Sequence, residues 1–272
     1  MDTLIARRGF LAGSLSVMGG TATAALAAGQ ASPSSGPQRE FYELRIYRLL
    51  RGPMVARAER YFAQALVPAL RRLGTGPVGV FSLAVGQHNP SFYVLIPHPT
   101  GESALTASSR LGSDPEYREA AGDFARATPS DPPYLNVESR LLAAASFMPR
   151  LEVPAAAEKK QPRLFELRTY RSHSKAANRK KMEMFGEGGE LAIFRRTGLQ
   201  PVFFAETLFG PDLPNLTYML VYADDAARQK AWSTFVADPE WKKLSSTPGY
   251  TDPEIVADIS NVLLRPASAS QV

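Results

Sequence analysis

Residues 41–48 read FYELRIYR, and residues 164–171 read LFELRTYR. Glu43, Leu44, Arg45, Tyr47 and Arg48 return as Glu166, Leu167, Arg168, Tyr170 and Arg171, an offset of 123. Landmarks downstream return in the same order. Arg71, Arg72 and Gly74 become Arg195, Arg196 and Gly198 at offset 124, as do Pro77-Val78 and Pro201-Val202, and Gly86 and Gly210. Tyr93 and Leu95 align with Tyr218 and Leu220 at offset 125. Asp114-Pro115-Glu116-Tyr117-Arg118 aligns with Asp238-Pro239-Glu240-Trp241-Lys242 at 124. Ordered landmarks that drift by a residue or two read as a tandem repeat with small loop insertions.

One copy can be read as a fold. The octapeptide alternates in character and predicts a strand. Residues 53–73 carry apolar side chains at helical spacing, with Pro53 suited to a first turn and Gly74 to a stop. Residues 78–86 and 91–96 read as two strands joined by the hairpin-like Gln87–Pro90. A helical region over 102–127 is interrupted near Gly112–Pro115, and a fourth strand covers 135–143. The second copy gives strand 164–171, helix 175–196, strands 201–209 and 216–222, a helical region 224–244 and strand 255–264. Each copy is therefore a βαββαβ, ferredoxin-like unit, and the chain is α+β. A four-stranded sheet with its helices on one side has a bare second face. Two such sheets can close on each other as a barrel within one chain. The expected layout is an export signal at 1–27, a disordered lead-in at 28–39, a first domain at 40–144, a Pro- and Ala-rich linker at 145–162, a second domain at 163–266 and a loose tail at 267–272.

The N-terminus places Arg7-Arg8 before Gly9-Phe10-Leu11 and a run of small apolar residues to about Ala28. Ala25-Leu26-Ala27 offers a cleavage site. This is the layout of a bacterial signal peptide, and the paired arginines fit the twin-arginine route, although Ala6 stands where that signal usually has Ser or Thr. The expectation is a periplasmic or secreted protein with no stable membrane span after cleavage. The chain has no cysteine, which removes disulfides and thiolate chemistry. A formal charge of +5 is spread over both copies rather than clustered, which argues against nucleic-acid binding.

The motif Glu-Leu-Arg-x-Tyr at a domain start, followed by Tyr218-x-Leu220-Val221-Tyr222-Ala223-Asp224-Asp225-Ala226-Ala227-Arg228, Ala231-Trp232 and Ala237-Asp238-Pro239-Glu240-Trp241, resembles the NIPSNAP family. The first copy resembles it less, with Ile96-Pro97-His98-Pro99 and Tyr117 at the corresponding places. The resemblance implies a ferredoxin-like domain that pairs as a dimeric α/β barrel. It implies no particular reaction.

Within the first strand Tyr42, Leu44 and Ile46 point one way, and Glu43, Arg45 and Tyr47 the other. The apolar set suits the helix side. On that assignment Glu43, Arg45, Tyr47, Glu166, Arg168 and Tyr170 line the space between the sheets. Glu206 in the second strand of the second copy adds a carboxylate that its counterpart Ser82 lacks. Such Glu–Arg couples either hold the sheets in register or bind a small polar ligand. His88, His98 and His173 are solitary, with no ligand partner at metal spacing, so neither a metal nor another cofactor is expected. No catalytic residue can be assigned. The Asp-Pro-Glu-aromatic segments read as helix starts. The functional expectation is an exported binding or scaffold protein with a polar cavity between two sheets, with further oligomerisation compatible. The alternative is a cofactor-free oxygenase or isomerase. That alternative requires an open cavity around Arg45 and Arg168, and an interior filled by Phe and Leu side chains excludes it.

Overall fold

The computed structural model describes residues 38–272. The export signal and nearly all of the lead-in fall outside the described residues. The first half runs β1 (Phe41–Arg48), α1 (Pro53–Tyr61), a π turn over Phe62–Leu66, α2 (Val67–Arg72), β2 (Gly79–Val85), β3 (Ser91–His98), α3 (Gly101–Ser113), α4 (Pro115–Ala120), α5 (Gly122–Ala125) and β4 (Asn136–Ala144). After the short α6 (Ala155–Glu158), the second half runs β5 (Leu164–Arg171), α7 (Lys175–Phe185), α8 (Glu190–Thr197), β6 (Gln200–Phe209), β7 (Asn215–Tyr222), α9 (Asp225–Ala237), α10 (Pro239–Ser245), α11 (Asp252–Ile255) and β8 (Asp258–Pro266).

Local chemistry sets several of these boundaries. Pro53 sits in the first turn of α1. Asp114 caps α4 through the Tyr117 amide, and Asp238 caps α10 through the Glu240 and Trp241 amides. The helix expected over 175–196 is instead two helices. Gly189 lies at φ +87°, and a Cβ on Gly188 would meet the Met184 carbonyl oxygen at 2.6 Å, so the segment breaks there.

The eight strands form one closed barrel in the order β1-β3-β2-β8-β5-β7-β6-β4. Every pairing is antiparallel, and the two four-stranded sheets meet at their edges, β2 with β8 and β4 with β6. Its interior is packed with apolar side chains from both halves. Tyr42, Leu44 and Ile46 meet Phe165, Leu167, Phe203, Met219 and Leu264 there. Helices cover the outside, over a first core around Tyr47, Phe62, Phe92 and Val94 and a second around Tyr170, Phe185, Phe204 and Tyr218.

This packing reverses the expected facing of β1 and β5. The apolar set fills the barrel, and Glu43, Arg45 and Tyr47, with Glu166, Arg168 and Tyr170, lie on the helix side. There is no polar cavity between the sheets. In a closed barrel both faces of a strand are covered, so alternation separates the two sets without saying which meets the helices. Partners decide: an ion pair inside the apolar barrel would lose water at several kcal/mol per ion with no donors to replace it, whereas the helix side supplies Ser139, Asn261, Tyr222 and Trp232 as hydrogen-bond partners.

One further expectation changes. The tail after Pro266 is docked rather than loose. Gln271 and Ala267 amides bond the Val78 and Val80 carbonyls, and Val272 is buried in the barrel core. The linker is anchored too, through the Leu151 amide on Glu40 Oε2 (2.8 Å) and the Glu152 amide on the Val202 carbonyl (2.8 Å). Among the described residues no helix is long and apolar enough to cross a membrane.

Candidate functional site

The two Glu–Arg couples occupy equivalent places. Arg45 faces Val94 and Ser139 across the sheet, and Arg168 faces Tyr218 and Asn261. In the first half Arg45 Nε and Nη2 donate to Glu43 Oε1 (2.6 Å) and Oε2 (2.8 Å), and Ser139 Oγ donates to Oε1 (2.8 Å). In the second half Arg168 Nη1 (2.9 Å) and Asn261 Nδ2 (3.0 Å) donate to Glu166 Oε1. Oε2 accepts from Tyr222 Oη (3.1 Å) and Trp232 Nε1 (2.8 Å). His98 holds the place of Tyr222. Its Nδ1 lies 3.2 Å from Ser103 Oγ, while its buried Nε2 stands 3.8 Å from Glu43 Oε2, beyond hydrogen-bond reach, and has no partner.

The helices above make the difference. α3 and α9 both have 13 residues, with caps at Thr100 and Asp224, so Ser108 stands where Trp232 stands. The Trp232 ring lies 4.5 Å from the Arg168 guanidinium, and Lys181 forms a fully buried pair with Glu190 (2.9 Å) beside the Tyr170 ring. The second half is thereby filled. Ser108 is exposed and leaves a cleft of about 350 Å³ over Glu43 and Arg45. Tyr47, Tyr61, Tyr117, Phe124 and Tyr134 wall it. Tyr61 stacks on Phe124 at 3.8 Å and shares a hydrogen bond with the Tyr117 hydroxyl (2.9 Å).

Burial pushes the Glu43 carboxyl up, but His98 near it at 3.8 Å and, more directly, the hydrogen bonds from the Arg45 guanidinium and Ser139 outweigh burial and hold it at about 2. Glu166 is likewise held low. Burial opposes this, and the Arg168 charge with the Trp232 and Asn261 hydrogen bonds prevails. Burial pushes Tyr47 and Tyr61 up, so both stay neutral donors. Burial also raises Glu190 despite Lys181 beside it.

Six of the seven residues singled out by sequence fall into these two clusters. Glu206 does not: it is half-buried on β6, and no side chain bonds it. The alignment of Tyr93 with Tyr218 is also off by one. Tyr93 points into the barrel, and Val94 holds the place of Tyr218. Sequence reasoning passed over Ser108, Ser139, Asn261 and Trp232 as polar partners, and the cleft's aromatic wall. The 124-residue offset already sets Ser108 against Trp232, so that contrast was legible. His88 and His173 are exposed and lie outside both clusters. Among the described residues no three His, Cys, Asp or Glu side chains gather as metal ligands would.

Three hollows are larger: about 480 and 510 Å³ flank Gln161–Arg163, and an open one of about 560 Å³ lies beside Arg72 and Arg110. The first two are engaged in part, and Arg163 Nε is buried in them without a partner. Asp224 caps α9, Asp225 holds Arg228 and Gln229, and Arg163 donates to the Gln161 and Val272 carbonyls.

Residues 165–271 match the NIPSNAP family model. A NIPSNAP-like domain protein from Burkholderia xenovorans is 23% identical, covering 39% of this chain and 86% of its own, with a TM-score of 0.35. A structure described as a putative monooxygenase from Lactobacillus acidophilus is 12% identical over 86% of this chain and 97% of its own, with a TM-score of 0.54. Another so described, from Fusobacterium nucleatum, is 7% identical over 85% and 93%, with a TM-score of 0.51. At such identities the last two show a shared fold alone. No curated protein matches the chain.

Proposed function

The chain carries a NIPSNAP domain in its second half, and from that premise we propose that it is an exported small-molecule binding protein. Its ligand sits in the first-half cleft, and the second half is the closed structural counterpart. The observation that carries this reading is Ser108 standing where Trp232 fills the other half. A volume of about 350 Å³, an aromatic wall and a few convergent polar groups suit a small ligand. The enzyme alternative loses the chamber expected for it between the sheets, because the barrel interior is filled, and only the cleft over Arg45 is left to it. Glu43, held near 2, is a weak base at neutral pH, and Arg45 cannot release a proton.

Native mass spectrometry of protein taken from its own periplasm tests the binding reading. A retained small molecule should be present, and Ser108→Trp should remove it. Retention unchanged in that variant would end the reading. Export is proposed from Arg7-Arg8, the small apolar run that follows and the Ala25-Leu26-Ala27 cleavage site, and the twin-arginine route from the paired arginines. Replacing both with Lys should leave the precursor in the cytoplasm, and normal export of that variant would exclude the twin-arginine route.

A further inference from the structure

The closed half contains a template for what the open half takes. Trp232 is, in effect, a built-in occupant: an uncharged bicyclic ring lying against Arg168, with its one N–H donating to Glu166 Oε2 at 2.8 Å. The first half repeats the receiving groups at the same register, Arg45 and Glu43, and omits the occupant. Resting on the cleft reading above, we infer that the ligand is a flat, neutral heteroaromatic molecule of the indole class. Its ring N–H donates to Glu43 Oε2 and its face lies along the Arg45 guanidinium.

A second observation points the same way. A carboxylate offers about four acceptor positions. Glu166 Oε2 takes two donors, from Tyr222 and Trp232. Glu43 Oε2 takes only Arg45 Nη2, with His98 Nε2 too far away at 3.8 Å. Glu43 Oε2 therefore takes one donor fewer than Glu166 Oε2, and Glu43 borders the cleft. The charge balance fixes the ligand's charge. Glu43 and Arg45 neutralise one another, so an anion meets the carboxylate and a cation meets the guanidinium, and each is disfavoured against a neutral ring. Tyr47, Tyr61, Phe124 and Tyr134 supply the remaining aromatic contact.

Calorimetric titration of the purified protein with indole, 1-methylindole and indole-3-carboxylate tests this. Indole should bind, and 1-methylindole, which keeps the ring and loses the donor, should bind about tenfold more weakly or worse. Indole-3-carboxylate should also be weaker. Ser108→Trp should abolish indole binding, and because Ser108 is exposed its melting temperature should not fall. Equal affinity for indole and 1-methylindole, preference for the carboxylate, indole binding that survives Ser108→Trp, or no indole binding would each overturn the ligand class. If a native ligand is still lost on Ser108→Trp, the cleft reading stands and only its chemistry changes.

Discussion

The two halves of the barrel hold the same ion pair at the same register and treat it in opposite ways. Glu166 is fully buried and accepts four hydrogen bonds, from Arg168, Asn261, Tyr222 and Trp232. The Glu43 side chain keeps 14% of its exposure, accepts from Arg45 and Ser139, and borders a cleft. The strands differ too, with His98 and Ser139 where Tyr222 and Asn261 stand, but the larger difference lies above them. A residue on the covering helix, Trp232 in one half and Ser108 in the other, determines whether the pair is an interior fastening or the floor of a site.

The sharpest way to break this comparison is to remove each carboxylate. Glu166→Leu strands the Arg168 charge in the interior and orphans Trp232, Tyr222 and Asn261. A loss of about 3–5 kcal/mol is expected from urea denaturation. Adding Arg168→Leu should recover part of it, because the buried charge goes too. Glu43→Leu should cost about half as much, since it orphans two partners, Arg45 and Ser139, where Glu166→Leu orphans four. Equal losses in the two halves would mean that the first is as closed as the second.

Exchanging the covering residues comes next in size. Trp232→Ser removes a large aromatic side chain and a donor to Glu166, and about 3 kcal/mol should be lost. The reverse change, Ser108→Trp, should leave stability level or raise it slightly. A Trp232→Ser protein that keeps its full stability would show that the indole is not what fills the second half.

Much of this frame can be read from the octapeptides. The spans of β1 and β5, the βαββαβ order and the aspartate caps follow from alternation, spacing and capping chemistry. The facing of Glu43 and Arg45 does not. Alternation sorts Tyr42, Leu44 and Ile46 from Glu43, Arg45 and Tyr47. A barrel then buries both sets, and only the polar partners waiting on the helix side tell them apart. The docked tail was hidden for another reason: Ser270 and Gln271 look like solvated residues until their bonds to the Val80 and Val78 amides are seen. The cleft was half legible. Ser108 against Trp232 stands in the sequence, but the wall built by Phe124 and Tyr134 comes from α5 and the loop after it, where the two copies share no landmark.

Acid sharpens the contrast further. Glu43 is held at about 2 against an ordinary 4.5. A carboxyl depressed on folding contributes stability that is present above its unfolded value and lost as pH falls through its folded one. The contribution should therefore fade between about pH 4.5 and 2, by at most ~3 kcal/mol and less where cleft water screens it. Glu166, also depressed, adds in the same direction. Glu190 is raised, so its effect has the opposite sign, favouring the fold at low pH and fading as pH rises. Urea midpoints of the wild type should fall across the acid range, and those of Glu43→Gln should fall less. An unchanged slope in that variant would mean that Glu43 is no more strongly held than an exposed carboxylate.

The smallest expected effect belongs to Glu206, the one carboxylate named from sequence that joins neither cluster. It lies on β6 opposite Ala143 and Leu216, half-buried, with no side chain bonded to it. Its counterpart Ser82 led to the expectation that the two halves would differ in charge. They do differ, but through the residue on the covering helix. A carboxylate without a partner has no buried pair to break, so Glu206→Gln should change the unfolding free energy from urea denaturation by less than about 0.5 kcal/mol. It should also leave indole titrations and native-ligand retention as they are in the wild type. A clear loss of either would mean that the second half reaches the ligand after all. The closed half could then no longer serve only as a template for the open one.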